Sequence, residues 1–327
     1  MIPRLNAVFA RRTLLGAALL LAAGLAPSVS VVRGQHDPDE WSVKAPLAPR
    51  SLLLDASMRD GRLVVVGERG HILVSLDSGE TWTQADVPTR VLLTGVFMRD
   101  GRDGWAVGHD EVVVRTRDGG LRWEQVRSAP EEEGPLLDVW FTDERRGLAV
   151  GAYGSLLATT DGGETWEPRS VNEGDDFHLN AIAQAPDGRM YLAAEAGRLY
   201  RSDDRGDTWR SLTSPYPGSF FGLLPMTDGG LLAFGLRGNL FRSTDRGATW
   251  TRIETGTEAT LTAALELGPG RFVVAGLAGT LLWSEGDGPL RLQEMPDRKG
   301  IVALARPDER TLLLVGEGGV RSVAITP

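Results

Sequence analysis

Apolar and polar positions change along this chain in short bursts that never reach helical length. In one stretch, "PLLDVWFT" (135–142) is followed by the turn "DERRG" (143–147), then "LAVGAYG" (148–154), "SLLATTD" (155–161), another turn and "TWEPRS" (165–170). Apolar runs of this length, bounded by glycine and charged turns, predict β-strands, and the 3.6-residue period of an amphipathic helix is missing. The same sequence of four runs returns every 41 to 43 residues, with first strands near 52–58, 92–98, 136–142, 179–185, 219–225, 260–267 and 301–305.

A turn motif marks the period. "SLDSGETW" (75–82), "TRDGGLRW" (116–123), "TTDGGETW" (159–166), "SDDRGDTW" (202–209) and "STDRGATW" (243–250) share the form Ser/Thr-x-Asp-x-Gly-x-Thr-Trp, with Arg122 once in place of Thr. Their aspartates are Asp77, Asp118, Asp161, Asp204 and Asp245; their tryptophans are Trp82, Trp123, Trp166, Trp209 and Trp250. A sixth copy has decayed to "SEGDG" (284–288). Four-stranded units repeated seven times predict an all-β, seven-bladed β-propeller occupying residues 35–327 as one domain. The last unit runs out after three strands, and Trp41 lies 41 residues before Trp82, so "EWSVKAP" (40–46) is expected to close the last blade as its outer strand.

The motif has a structural explanation. An aspartate at that position accepts hydrogen bonds from its own turn, and the glycine adopts backbone angles that a Cβ resists. The tryptophan opens the outer strand and wedges against a neighbouring blade. These ten residues are therefore read as structural.

Composition narrows the function classes. There is no cysteine among the 327 residues, hence no disulfide and no thiolate chemistry. The four histidines (His36, His71, His109, His178) are scattered without ligand spacing, so no metal or other cofactor is expected. A net charge of −9 disfavours nucleic acid as a partner. Residues 1–34 read as a cleaved export signal: Arg4, Arg11 and Arg12 precede the apolar run "LLGAALLLAAGLA" (14–26), and "ARRTLLG" (10–16) resembles a twin-arginine signal. An uncleaved membrane anchor is the alternative. Cleavage after Gly34 removes four arginines and no acids, leaving 31 basic against 44 acidic residues, a net −13. The expected location is the periplasm or another exported compartment.

Propeller topology puts the aspartate turns on one face, and the turns between second and third strands plus the links between blades on the other. That second face is where a partner is expected, with Arg69, Arg90, His109, Asp110, Tyr153, Glu195, Tyr216 and Arg237 as candidate contacts. In "SPYPGSFF" (214–221), Phe220 and Phe221 are read as the start of an inner strand, one facing each way, with Tyr216 left open. No residue is assigned a catalytic role. Two-carboxylate glycoside hydrolysis would have to draw on Asp110, Asp175, Asp176, Glu195 or Glu317, which only their loop positions recommend.

The aspartate turns resemble the Asp-box, or bacterial neuraminidase repeat. Within that group, "GWAVGHDEVVVRTRDGGLRW" (104–123) and "RGLAVGAYGSLLATTDGGETW" (146–166) resemble the photosystem II stability/assembly-factor-like family. The resemblance implies an exported, non-enzymatic propeller scaffold that grips a protein, acting with a membrane complex. In photosynthetic members this is a new reaction-centre subunit; non-photosynthetic relatives are encoded beside RND-type exporters. A sialidase-like glycoside hydrolase is the alternative, but the Arg-Ile-Pro motif of such chains is missing, and only Arg69, Arg90 and Arg237 fall on the expected ligand face.

Overall fold

A computed structural model describes residues 40–131, 134–284, 286 and 288–325. Seven antiparallel sheets are arranged around a channel. Their inner strands are Leu53–Arg59, Leu93–Met98, Leu136–Phe141, Leu179–Gln184, Phe220–Pro225, Leu261–Gly268 and Ile301–Ala305. Strands within each sheet follow sequence order from the channel outward. Each inner strand packs beside the next, and the first packs against the seventh, so the ring closes. The fold is a seven-bladed β-propeller, as the repeat predicts.

Second strands such as Arg62–Gly67, Gly104–Gly108 and Gly147–Gly151 read as continuous apolar runs because both faces of each blade are covered by its neighbours. The glycine that ends these strands has a steric reason. At Gly67, Gly108 and Gly151 a Cβ would come within 2.1–2.3 Å of a carbonyl oxygen in the incoming link. In all seven blades the next residue's amide then bonds that link, from Glu68 N to Leu52 O in the first to Glu317 N to Gly300 O in the last.

The aspartate turns are self-contained. Asp161 accepts from Thr165 N (3.0 Å), Thr165 Oγ1 (2.6 Å) and Thr159 Oγ1 (2.8 Å), while Gly163 N donates to Thr159 Oγ1 (2.9 Å). Asp77, Asp204 and Asp245 repeat the set. Asp118 bonds the amides of Leu121 and Arg122, and Arg122 supplies no hydroxyl there. Each tryptophan wedges between its own blade and the preceding one; Trp123 shares a core with Val64 and Val74 of blade one and Val112 and Val114 of blade two.

The closing strand is corrected. Six sheets have four strands and the seventh has three. Residues 40–46 form no strand and lie along the outer margin of blade one. Ser42 N donates to Val87 O (2.9 Å), Ala45 N to Gln84 Oε1 (2.8 Å), Gln84 Nε2 to Val43 O (2.9 Å) and Arg90 Nε to Trp41 O (2.7 Å). Pro46 and Pro49 lack amide donors, and the turn Ala48–Arg50 crosses the end of the last strand, where Gly319 meets Pro49 O. Upstream of that turn, the side chains of Gln84 and Arg90 offer partners that the spacing of tryptophans cannot reveal. The seam between blades seven and one is filled by Trp82, packed with Leu63, Ala305 and Leu313. The export signal expected at 1–34 lies outside the described residues. Among the described residues no helix is long and apolar enough to cross a membrane.

Candidate functional site

The turns between second and third strands share one geometry. Their central residues, Arg69, Asp110, Tyr153, Ala196, Arg237 and Ala278, all have φ between 52 and 57°. A left-handed backbone is costly for residues with a Cβ, but its recurrence in six blades marks a structural turn rather than local strain. It thrusts each central side chain off the face. Arg69, Tyr153 and Arg237 are exposed at these tips in blades one, three and five, Tyr153 at 60 %. Neither Arg69 nor Arg237 makes an ion pair among the described residues.

Several other candidates are engaged in holding the face together. Glu195 accepts His178 N (2.9 Å), just as Glu68 accepts Leu52 N (3.2 Å) and Glu317 accepts Gly300 N (2.8 Å). Arg90 holds the carbonyl of Trp41. Asp110 is half-buried at its turn tip, its backbone carbonyl accepting Ala129 N (2.8 Å), and His109 beside it is exposed. Tyr216 is half-buried, its ring 6.1 Å from Phe220 and 6.4 Å from Phe241, so it belongs largely to the core between blades four and five. Phe220 is fully buried and Phe221 faces the channel, as their position at a strand start predicts.

One cluster on this face joins two blades. The Tyr153 amide donates to His178 Nδ1 (3.1 Å), which leaves the proton of the neutral ring on Nε2, 3.9 Å from Glu195 Oε2. The Tyr153 ring lies 4.8 Å from the imidazole. Nearby, Tyr200 donates to Asp175 (3.0 Å), so burial and that bond push the phenol up to about 12. Of the loop acids considered for sugar chemistry, Glu195 and Glu317 each hold a link amide, and Asp175 accepts from Tyr200 and Asn172.

A carboxyl pair that the sequence reading missed lies in the channel, a cavity of about 850 Å³ lined by Met58, Trp140, Phe221 and Leu265 among others. Each inner strand has a bulge near its start, and the next position is Gly95, Ala181, Gly222, Ala263 or Ala303 in five blades. In blades one and three it is Asp55 and Asp138. They flank Gly95 of blade two, whose Cβ would lie 3.0 Å from the Cα of Asp138. Asp55 accepts Ala56 N and, across the blade junction, Val96 N (both 2.8 Å). Asp138 does the same with Val139 N (2.7 Å) and Ile182 N (2.9 Å). Thr94, Asn180 and Thr262 stitch three other junctions by donating to inner-strand carbonyls of the following blade.

Asp55 and Asp138 keep part of their surface open to the channel, yet protein surrounds them deeply enough to strip most of their hydration. Desolvation first, then mutual repulsion, drives their carboxyls far above the usual range, to about 8 for Asp55 and about 7 for Asp138. Repulsion acts on both partners, so the two steps belong to the pair.

With this geometry in view, comparison with known proteins is informative. Residues 128–251, spanning blades three to five, match the family model of the photosynthesis system II assembly factor YCF48. The repeats are photosystem II assembly-factor-like. The chloroplast photosystem II stability/assembly factor HCF136 of Arabidopsis thaliana is 24% identical over 141 residues, covering 40% of this chain. The match spans only 35%, about a third, of that relative's length. A structure of YCF48 bound to D1 peptide superposes with a TM-score of 0.71 at 17% identity, covering 89% of this chain and 96% of that one. YCF48 from Cyanidioschyzon merolae gives 0.67 at 16% identity, covering 86% and 97%. Virginiamycin B lyase from Staphylococcus aureus gives 0.72 at 13%, covering 84% and 94%. An enzyme and an assembly factor thus share this architecture equally well, and fold similarity by itself decides no function.

Proposed function

We propose that this chain is a non-enzymatic, exported propeller scaffold that holds a protein partner on the face bearing Arg69, Tyr153 and Arg237. The observation that carries the reading is the assembly-factor-like repeat, in a fold that a relative uses while bound to a D1 peptide. The turn tips add support: a rigid ring presents two exposed guanidinium groups and an exposed phenol on one side, and such groups are favoured at protein interfaces. The partner is a membrane protein or a membrane-associated complex, and the compartment is the periplasm or its equivalent.

The test is capture of the partner from a detergent-solubilised envelope by the purified propeller. Arg69→Ala, Tyr153→Ala and Arg237→Ala are each expected to weaken capture about 5- to 30-fold, the effect of losing an interface anchor. Thermal midpoints should stay within about 2 °C of the parent, because exposed side chains carry little stability. Capture unchanged in all three variants, or sugar hydrolysis that Asp55→Asn or Asp138→Asn abolishes, would count against the scaffold reading.

A further inference from the structure

Blade six departs from its sisters where the tryptophan wedge should be. In blade five the paired register ends at Arg242 opposite Thr251, and one further step along it sets Ser243 opposite Trp250. In blade six it ends at Trp283 opposite Arg291, and the same step sets Ser284 opposite Leu290. Leu290 therefore occupies the wedge position. Gly286 stands at the place of the turn aspartate, and the Ser284 hydroxyl donates to Gly270 O (3.3 Å).

The walls of the wedge site remain. Around Gly247 of blade five, an added Cβ would lie 2.7 Å from Leu212, 3.4 Å from the Trp250 ring and 3.7 Å from Leu231. Those three wall positions recur 41 residues later (212 to 253, 231 to 272, 247 to 288) as Ile253, Phe272 and Gly288. All three line a cavity of about 530 Å³ between blades five and six, together with Leu290, the hydroxyl-bearing Thr251 and Ser284, and Arg242 and Arg252. An isobutyl group thus stands beside this cavity where five sister blades hold an indole.

We propose that this pocket binds the tryptophan side chain of a partner polypeptide. The occupant follows from the repeat: Leu212 and Leu231 pack with the Trp250 indole between blades four and five, and Trp82, Trp123, Trp166 and Trp209 fill the corresponding seams of four other blades. Apolar contacts from Ile253, Phe272 and Leu290 would cover the ring, while Thr251 and Ser284 lie where the indole N–H or the flanking peptide groups need partners. The pocket lies toward the aspartate-turn side of the ring, and its occupancy does not depend on the face assigned to the partner above.

N-acetyl-tryptophanamide is the probe, added to the purified protein and followed by methyl NMR. Binding in the range of ~0.1–1 mM is expected for a ligand of this size, with shifts concentrated on Ile253 and Leu290. Leu290→Trp should fill the pocket internally, abolish those shifts and raise the thermal midpoint. Phe272→Leu, which copies Leu231 of blade five, should enlarge the pocket and tighten binding several-fold; it decides the matter if Leu290→Trp does not fold. The proposal is overturned if the probe shifts no methyl around the pocket, or if its binding is indifferent to both substitutions.

Discussion

Stability of the ring is expected to be greatest in mildly acidic solution and to fall as pH rises from about 4 to about 8. The cause on the alkaline side is the channel pair. Asp55 and Asp138 have folded-state values of about 8 and about 7, above the ordinary 3.8, so the folded protein holds protons that the unfolded chain releases. Their stabilising contribution is complete below about pH 4 and is lost as pH climbs through the folded values. Between those limits each such group costs about 1.4 kcal/mol per pH unit. No cation sits at their level in the ring, where the equivalent positions are glycine or alanine. The charged groups nearest in the channel, Arg59, Asp60 and Arg306, lie at its far end by the first-to-second-strand turns.

The turn aspartates impose the opposite slope at lower pH. Hydroxyl and amide bonds from Thr81 and Thr249, with help from Ser75 and Ser243, hold Asp77 and Asp245 down to about 2. Asp161 and Asp204 are lowered too, since bonds from Thr165 and Thr208 outweigh a burial effect that acts the other way. Their contribution is present above the ordinary carboxylate value and disappears as pH falls through the lowered one. Denaturant titrations of parent, Asp55→Asn and Asp138→Asn at pH 4.5, 6 and 8 (steps of ~1.5 and ~2 units across the window that linkage defines) would separate the two sides. Either substitution should flatten the loss between the first and last conditions, even if the amide fits less well than the carboxyl. A slope unchanged in both variants would remove the pair as its source.

The second large effect is expected at Trp123. Its ring is 4 % exposed, is packed against valines of two blades, and donates through Nε1 to Gly120 O (2.8 Å). Trp123→Ala should cost about 3–5 kcal/mol, because a rigid seam between sheets cannot collapse around the cavity. In a ring of this size that corresponds to a fall in the thermal midpoint of about 10 °C, measurable by calorimetry. A loss under about 1 kcal/mol would mean that the wedge contributes little to the seam.

The fold was legible because its determinants are local and repeated. Strand runs, turn aspartates and wedge tryptophans each recur at one spacing, and the hydrogen bonds of Asp161 are made within eight residues. The closing strand was misread because a 41-residue spacing fixes a register but not which edge a segment meets; Gln84 and Arg90 decide that. Tyr216 was ambiguous since a loop tyrosine between prolines gives no sign of the Phe220 and Phe241 rings it reaches. Asp55 and Asp138 look like ordinary strand residues in "LLLDASM" and "PLLDVWF", and only the side-by-side packing of three inner strands brings them together across Gly95. A signal did exist. Aligning the seven inner strands on their bulges shows glycine or alanine after five of them and aspartate after two. Which turns and links share the candidate face was legible through loop topology, but which of its side chains were already engaged depended on backbone contacts between link and turn.

The most direct test of partner binding on the turn-tip face is site-specific photocrosslinking in the native envelope. A photoreactive amino acid would be placed at Tyr153, at Arg237 and, on the opposite face, at Thr208. Discrete adducts of one common mass increment from positions 153 and 237, with none from 208, are the expected result. Adducts from 208 in place of the two turn tips, or none from any position, would contradict it.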